Sequence, residues 1–186
     1  MLWLTVVEWL ARLILIIMVG LSIWSVSIMI ERRKYFKSLK LPKHDFKKAI
    51  DFKHQGETHF YSDLIKELST MKEPQQMDKF FNAYATEKRK ELDKGLPILA
   101  TLGSTSPFIG LLGTILGIIV SFGELSRGTG STNSVMFSLA EALILTAVGL
   151  VVAIPAVIAF NYYNRQVKMI LADGESLKDL YIAYKE

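Results

Sequence analysis

The sequence predicts an all-α integral membrane protein, with three transmembrane helices and long helical extensions on the cytoplasmic side. Three observations carry that prediction. Apolar residue types make up 51% of the 186 residues, and the mean hydropathy is positive. The charged residues are nearly absent from three long runs and crowded into what lies between them. Each run approaches or exceeds the ~20 apolar residues that a helix needs to cross a bilayer. Neither a soluble domain nor a disordered chain combines that composition with that segregation.

Residues 1–30 hold the first span. Leu13 to Ile30 is free of charge, with Glu8 and Arg12 before it and Glu31, Arg32, Arg33 and Lys34 directly after it. A cleaved signal peptide has its basic cluster ahead of a shorter apolar core, so this helix is expected to stay in the mature protein. Arg12 can snorkel to the headgroups. Trp3 and Trp9 suit an interface, whereas Trp24 is too deep for one.

Residues 31–95 are hydrophilic, with sixteen Lys or Arg against eleven Asp or Glu. The positive-inside rule places such a segment in the cytoplasm. Helical hairpins are expected here, ending in an amphipathic helix over Met77–Gly95, where Phe80, Phe81, Tyr84 and Leu92 recur among charges.

Residues 96–122 form the second span, which at 1.5 Å per residue reaches about 40 Å and must protrude or tilt. Gly103, Ser106, Pro107, Gly110, Thr114, Gly117 and Ser121 recur at steps of three and four, which keeps them on one face. Gly113 and Gly117 add a small-xxx-small pair. Such a face serves either close helix packing or the wall of a watery path. Residues 123–134 read as a short external turn with one basic residue, Arg127, and Asn133 or Ser134 as the cap of the next helix.

Residues 135–164 return to the cytoplasm, so the N-terminus is expected outside and the C-terminus inside. Ala142, Thr146, Gly149, Ala153 and Ala156 make a second small stripe, and Pro155 is expected to bend the helix. Glu141 lies about 100° around the helix from that stripe. A charge at mid-bilayer costs roughly 2.5–3.5 kcal/mol, which makes this carboxylate a functional candidate. Alternatively it marks the start of the uninterrupted apolar run Ala142–Phe160. Residues 165–186 alternate apolar and charged types, as a cytoplasmic amphipathic helix does.

Several classes are disfavoured. The chain has no cysteine, which excludes disulfides and thiolate chemistry. His44, His54 and His59 lack any zinc-binding spacing, and the glycine-rich stretches lack the lysine of a phosphate loop. A net charge of +4 is first explained by topology, so no nucleic-acid partner, no cofactor and no enzymatic activity are expected.

Two blocks, LATLGSTSPFIGLLGTILGIIVSF (Leu99–Phe122) and SLAEALILTAVGLVVAIPAVIAFNYYNRQ (Ser138–Gln166), separated by a short polar turn, resemble the MotA/TolQ/ExbB proton-channel family, in its ExbB/TolQ branch. The resemblance implies a motor subunit of the bacterial inner membrane that converts proton-motive force into work at the envelope. It implies a ring, a pentamer surrounding a single-span partner of ExbD/TolR type that supplies a proton-carrying aspartate. It also maps Thr114 of GLLGT and Thr146 of ILTA onto the ion path and Glu141 of AEAL onto its acid, and Asn161, after IPAVIAF, fits the same pattern. Three spans rather than four favour an outer-membrane process over flagellar rotation. The dozen residues ahead of the first span leave little external structure. The competing reading is a non-conducting scaffold that packs helices in the lipid and anchors a cytoplasmic protein.

Overall fold

The computed structural model describes residues 2–39, 60–128 and 131–185, and every regular element among them is helical. These are α1 (Leu2–Ser38), α2 (Ser62–Thr70), α3 (Pro74–Leu92), α4 (Leu96–Ser126) and α5 (Thr132–Lys185). Three of them, α1, α4 and α5, are long and apolar enough to cross a membrane. His44, His54 and His59 lie outside the described residues, as does the side chain of Trp3.

The helices overrun their apolar cores. α4 runs 31 residues, and α5 continues for 54 without stopping at Asn164, so the expected C-terminal amphipathic helix belongs to the same element as the third span. Hydropathy marks where lipid ends, but the backbone ladder needs no change there. Pro155 lies inside α5, where it removes a single donor and the helix carries on past it. The α5 cap is Ser131, not Asn133 or Ser134: its Oγ accepts the Ser134 backbone N–H at 3.2 Å, satisfying one of the free donors of the first turn.

The chain divides into two compact units. The first comprises Met1–Ile30 and Gly95–Asn161. Its core joins Ile14 and Met18 of α1 to Leu145 and Val152 of α5, with Ile109 and Leu116 of α4 packed against them. Gly95 opens α4 at φ 77°, a left-handed conformation suited to glycine, and a Cβ there would sit 3.1 Å from the Ile28 side chain.

The second unit comprises Glu31–Lys94 and Tyr162–Glu186. Leu64 and Leu68 of α2, four apart and therefore on one face, are fully buried, as are Met77 and Leu92 of α3 and Val167, Ile170 and Leu177 of α5. Pro74 starts α3 at a position where its missing N–H costs nothing. Tyr61 donates to the Ile170 carbonyl at 2.8 Å. Gly174 lets the Tyr61 and Phe81 rings approach to about a Cβ contact distance, 3.4 Å. Two cations are buried and compensated. Lys178 pairs with Asp78 and Asp179 beside the Phe81 ring, and Arg32 pairs with Glu31 at 2.9 Å and lies over Tyr35.

Candidate functional site

The small faces of α4 and α5 meet each other. Contacts pair Gly103 with Val157, Gly110 with Leu145, Thr146 and Gly149, Gly113 with Leu145, and Gly117 with Ala142. One number rises as the other falls, so the helices run antiparallel, as their short turn requires. The approach is at backbone level. A Cβ on Gly110 would stand 2.8 Å from the Leu145 carbonyl, and one on Gly149 would stand 2.8 Å from the Ser106 carbonyl and 3.2 Å from Gly110 Cα. Only glycine permits this, because dispersion attraction grows as the backbones close and any side chain holds them apart.

Hydroxyls lie within the seam. Thr114, which is buried, donates from Oγ1 to the Gly110 carbonyl or shares a hydrogen bond with Thr146 Oγ1; the two threonine oxygens are in direct contact. One hydroxyl proton can serve only one of these acceptors at a time, so the pair has two bonding arrangements of the kind a proton relay needs. Ser121, two turns along α4, is fully buried and donates to the Gly117 carbonyl at 2.9 Å. Ser106 is fully buried and its Oγ has no hydrogen-bond partner. Pro107 is half-buried, and Asn161 is exposed near the far end of the unit, apart from the hydroxyl pair.

Glu141 is not in the seam. It lies in a cleft of about 320 Å³ whose walls come from α1, α4 and α5, together with Glu8, Arg12, Glu124 and Ser138. Arg12 and Glu8 form an ion pair at 2.6 Å across one turn of α1. Leu145 closes the cleft on its inner side and also belongs to the apolar cluster with Ile14, Met18 and Val152. The sequence places Glu141 off the small stripe, facing a neighbour other than the threonine such as a subunit boundary; within the chain, the cleft it lines is shared with the first helix. Glu8, Arg12, Glu124 and Ser138 were missed as companions of Glu141. Their one sequence signal is position: each falls within a few residues of the same end of its apolar run.

Two antiparallel small-faced helices, a threonine pair in their seam and an acid in the adjoining cleft have counterparts among known proteins. The description "MotA/TolQ/ExbB proton channel family" matches residues 52–176, more than half of the chain. The chain is 47% identical over 91 residues to the biopolymer transport protein ExbB of Aquifex aeolicus, covering 47% of this chain and 60% of that protein. It is 40% identical over 99 residues to the biopolymer transport protein ExbB of Xanthomonas campestris, covering 52% and 38%. It is 42% identical over 99 residues to the Tol-Pal system protein TolQ of Pseudomonas aeruginosa, covering 53% and 43%. The matched stretch thus spans less than two thirds of each of these relatives. With three apolar helices, the seam and these matches in agreement, the chain is a multi-pass membrane protein of the MotA/TolQ/ExbB proton channel family, in its ExbB/TolQ branch.

Proposed function

We propose that this chain is the proton-conducting motor subunit of an inner-membrane complex that uses the proton-motive force to drive work at the cell envelope. The observation that supports this most directly is the Thr114–Thr146 hydroxyl contact across the glycine seam, with Thr114 buried and Thr146 on the same helix as Glu141. Hydroxyls that both donate and accept can pass a proton by exchanging bonds, and a carboxylate can hold one. Each charge crossing 100 mV releases about 2.3 kcal/mol, enough to bias a step between two packings of similar energy. In this reading five copies form a ring, the N-terminus faces the periplasm and the C-terminus the cytoplasm. A single-span protein of ExbD/TolR type completes the path with its own acid. The printed names of the relatives, biopolymer transport and Tol-Pal, support an envelope process as the recipient of the work.

The test is reconstitution into liposomes with and without such a partner, with proton uptake followed by a pH-sensitive dye under an imposed potential. The chain alone is expected to be tight and the complex to conduct. Glu141→Gln and Thr146→Ala are each expected to cut flux at least about tenfold, in line with the ~1.4 kcal/mol that a lost hydroxyl or acid contact is worth. Full flux in both substituted complexes, with assembly intact, refutes the assignment. The backbone contacts at Gly110 and Gly149 also favour a second reading, a non-conducting scaffold. That reading predicts no flux in any complex and no sensitivity of the envelope process to uncouplers.

A further inference from the structure

The first unit contains five charged residues, Glu8, Arg12, Glu124, Arg127 and Glu141, and four of them line the single cleft described above. They come from three helices, and Glu8 and Arg12 stand more than a hundred positions from Glu124 and Glu141, so local sequence does not bring the two pairs together. A charge facing hydrocarbon costs up to roughly 2.5–3.5 kcal/mol at the bilayer centre and less towards the ends of the apolar runs, where these four lie. Turning four of them into one concavity lets them share water instead. At about 30 Å³ per molecule, a volume of about 320 Å³ holds roughly ten waters. The lining carries three carboxyl groups and one guanidinium, a formal excess of acid, and an acidic concavity with low-dielectric walls concentrates cations and protons. The inner side is different. Leu145 caps the cleft and Ile14, Met18 and Val152 fill the space behind it, which removes any polar continuation in that direction.

We propose that this cleft is a solvent half-channel, contained within one chain, that brings protons from the aqueous phase on the side of the α4–α5 turn to Glu141 and ends at Leu145. The inference rests on the proton-conducting reading for what the half-channel carries, but its geometry is tested without flux. Glu8, Arg12 and Glu124 then act as positioning residues, which set the field at the mouth and hold no proton at the transfer step itself.

The chain's lack of cysteine makes a direct test possible. Single cysteines replace Ser138 and Ala11 on two walls of the cleft, Ser131 at the exposed turn, and Val152 behind Leu145. The assembled protein in liposomes is then exposed to membrane-impermeant methanethiosulfonates, one cationic and one anionic. Ser138→Cys and Ala11→Cys are expected to label to completion, as Ser131→Cys does, while Val152→Cys stays unreacted. Normalised to Ser131→Cys, the cationic reagent is expected to react at Ser138→Cys roughly tenfold faster than the anionic one, and Glu8→Gln is expected to reduce that ratio. If both wall cysteines are as inert as Val152→Cys in assembled protein, the half-channel is overturned. Because two walls are probed, failure of one variant to assemble leaves the other to decide. Labelling that succeeds while Glu141→Gln retains full flux defeats the proton-conducting reading and keeps a watery cleft. Inert walls together with flux lost in Glu141→Gln defeat the cleft and keep that reading.

Discussion

Adding one methyl group at Gly149 tests the seam where helix backbone meets helix backbone. The new Cβ of Gly149→Ala would lie 2.8 Å from the Ser106 carbonyl oxygen and 3.2 Å from Gly110 Cα, both of them helix backbone. Carbon contacts are most favourable at roughly 3.5–4.0 Å, so α4 and α5 must separate by a large fraction of an ångström. Neither atom belongs to a side chain that can swing away. Overpacking of this kind costs about 1–3 kcal/mol. Against it stands the gain from replacing helical glycine by alanine, at most about 1 kcal/mol. A control removes that offset. Gly20→Ala lies in α1, where a Cβ meets nothing within 4 Å, and carries the same propensity gain without the clash. The difference between the two variants therefore isolates the overpacking. For a chain of this size each kcal/mol moves Tm by about 2–4 °C, so Gly149→Ala is expected to melt about 2–12 °C below Gly20→Ala. The assay is thermal unfolding by circular dichroism in detergent. Equal melting temperatures would refute the claim that the two small faces hold each other at backbone contact.

Two further predictions concern the second unit. The Tyr84 phenol is pushed up to about 12 from its ordinary 10.0, first by burial and then by the carboxylates of Asp63, Glu91 and Glu87, and burial drives Tyr61 in the same direction. A raised phenol contributes stability that is complete below pH 10 and lost as the pH climbs through about 12. Phenolate absorbance and helicity are expected to change together over that window, and phenolate formation without loss of helix would contradict it. The Tyr61 hydroxyl, buried and bonded to the Ile170 carbonyl, is expected to contribute about 0.5–1.5 kcal/mol. Denaturation of Tyr61→Phe should register that loss, and an unchanged midpoint would show the bond to be neutral.

How much of this was legible in sequence depends on which interaction set it. The three spans follow from charge segregation alone, because a charge in lipid costs more than any local preference returns. The small face of α4 follows from spacing, since Gly103, Ser106, Gly110, Thr114 and Gly117 fall on it at steps of three and four. What that face touches does not follow. Periodicity identifies a side of a helix, and the partner is set by the register of two helices, which brings Thr114 to Thr146 and Gly110 to Gly149. The cleft was illegible for the same reason. Glu8, Arg12, Glu124 and Glu141 belong to three helices, and only their assembly shows them on one wall-lined space. Arg12, read as snorkelling to headgroups, also pairs with Glu8 at 2.6 Å and lines that cleft, which periodicity did not show. The end of the third span was placed at a change of composition near Arg165, whereas α5 continues to Lys185 because solvent and lipid both accept a helix whose backbone bonds are internal.

The placement of the acid and the hydroxyls bears on the second chain that the proposed function calls for. Glu141 and Thr146 are five positions apart on α5, which puts them about 140° apart around the helix and about 7.5 Å along it. They therefore open on different surroundings: Glu141 on the cleft beside α1, and Thr146 on the seam beside α4. Leu145 intervenes, its side chain against Gly113 and its place in the apolar cluster shared with Ile14 and Met18. No rotamer of a glutamate spans that arc and rise to bond directly to the Thr146 hydroxyl. On the proton-conducting reading, a proton held at Glu141 reaches the threonine pair through a bridging group, such as water or a side chain from another helix, or by a turn of α5. A carboxylate carried on another helix meets the first requirement, and the free energy of a proton crossing the membrane can drive the second. Both fit the motor of two kinds of chain proposed above, in which this chain would hold its acid and its hydroxyl pair out of each other's direct reach.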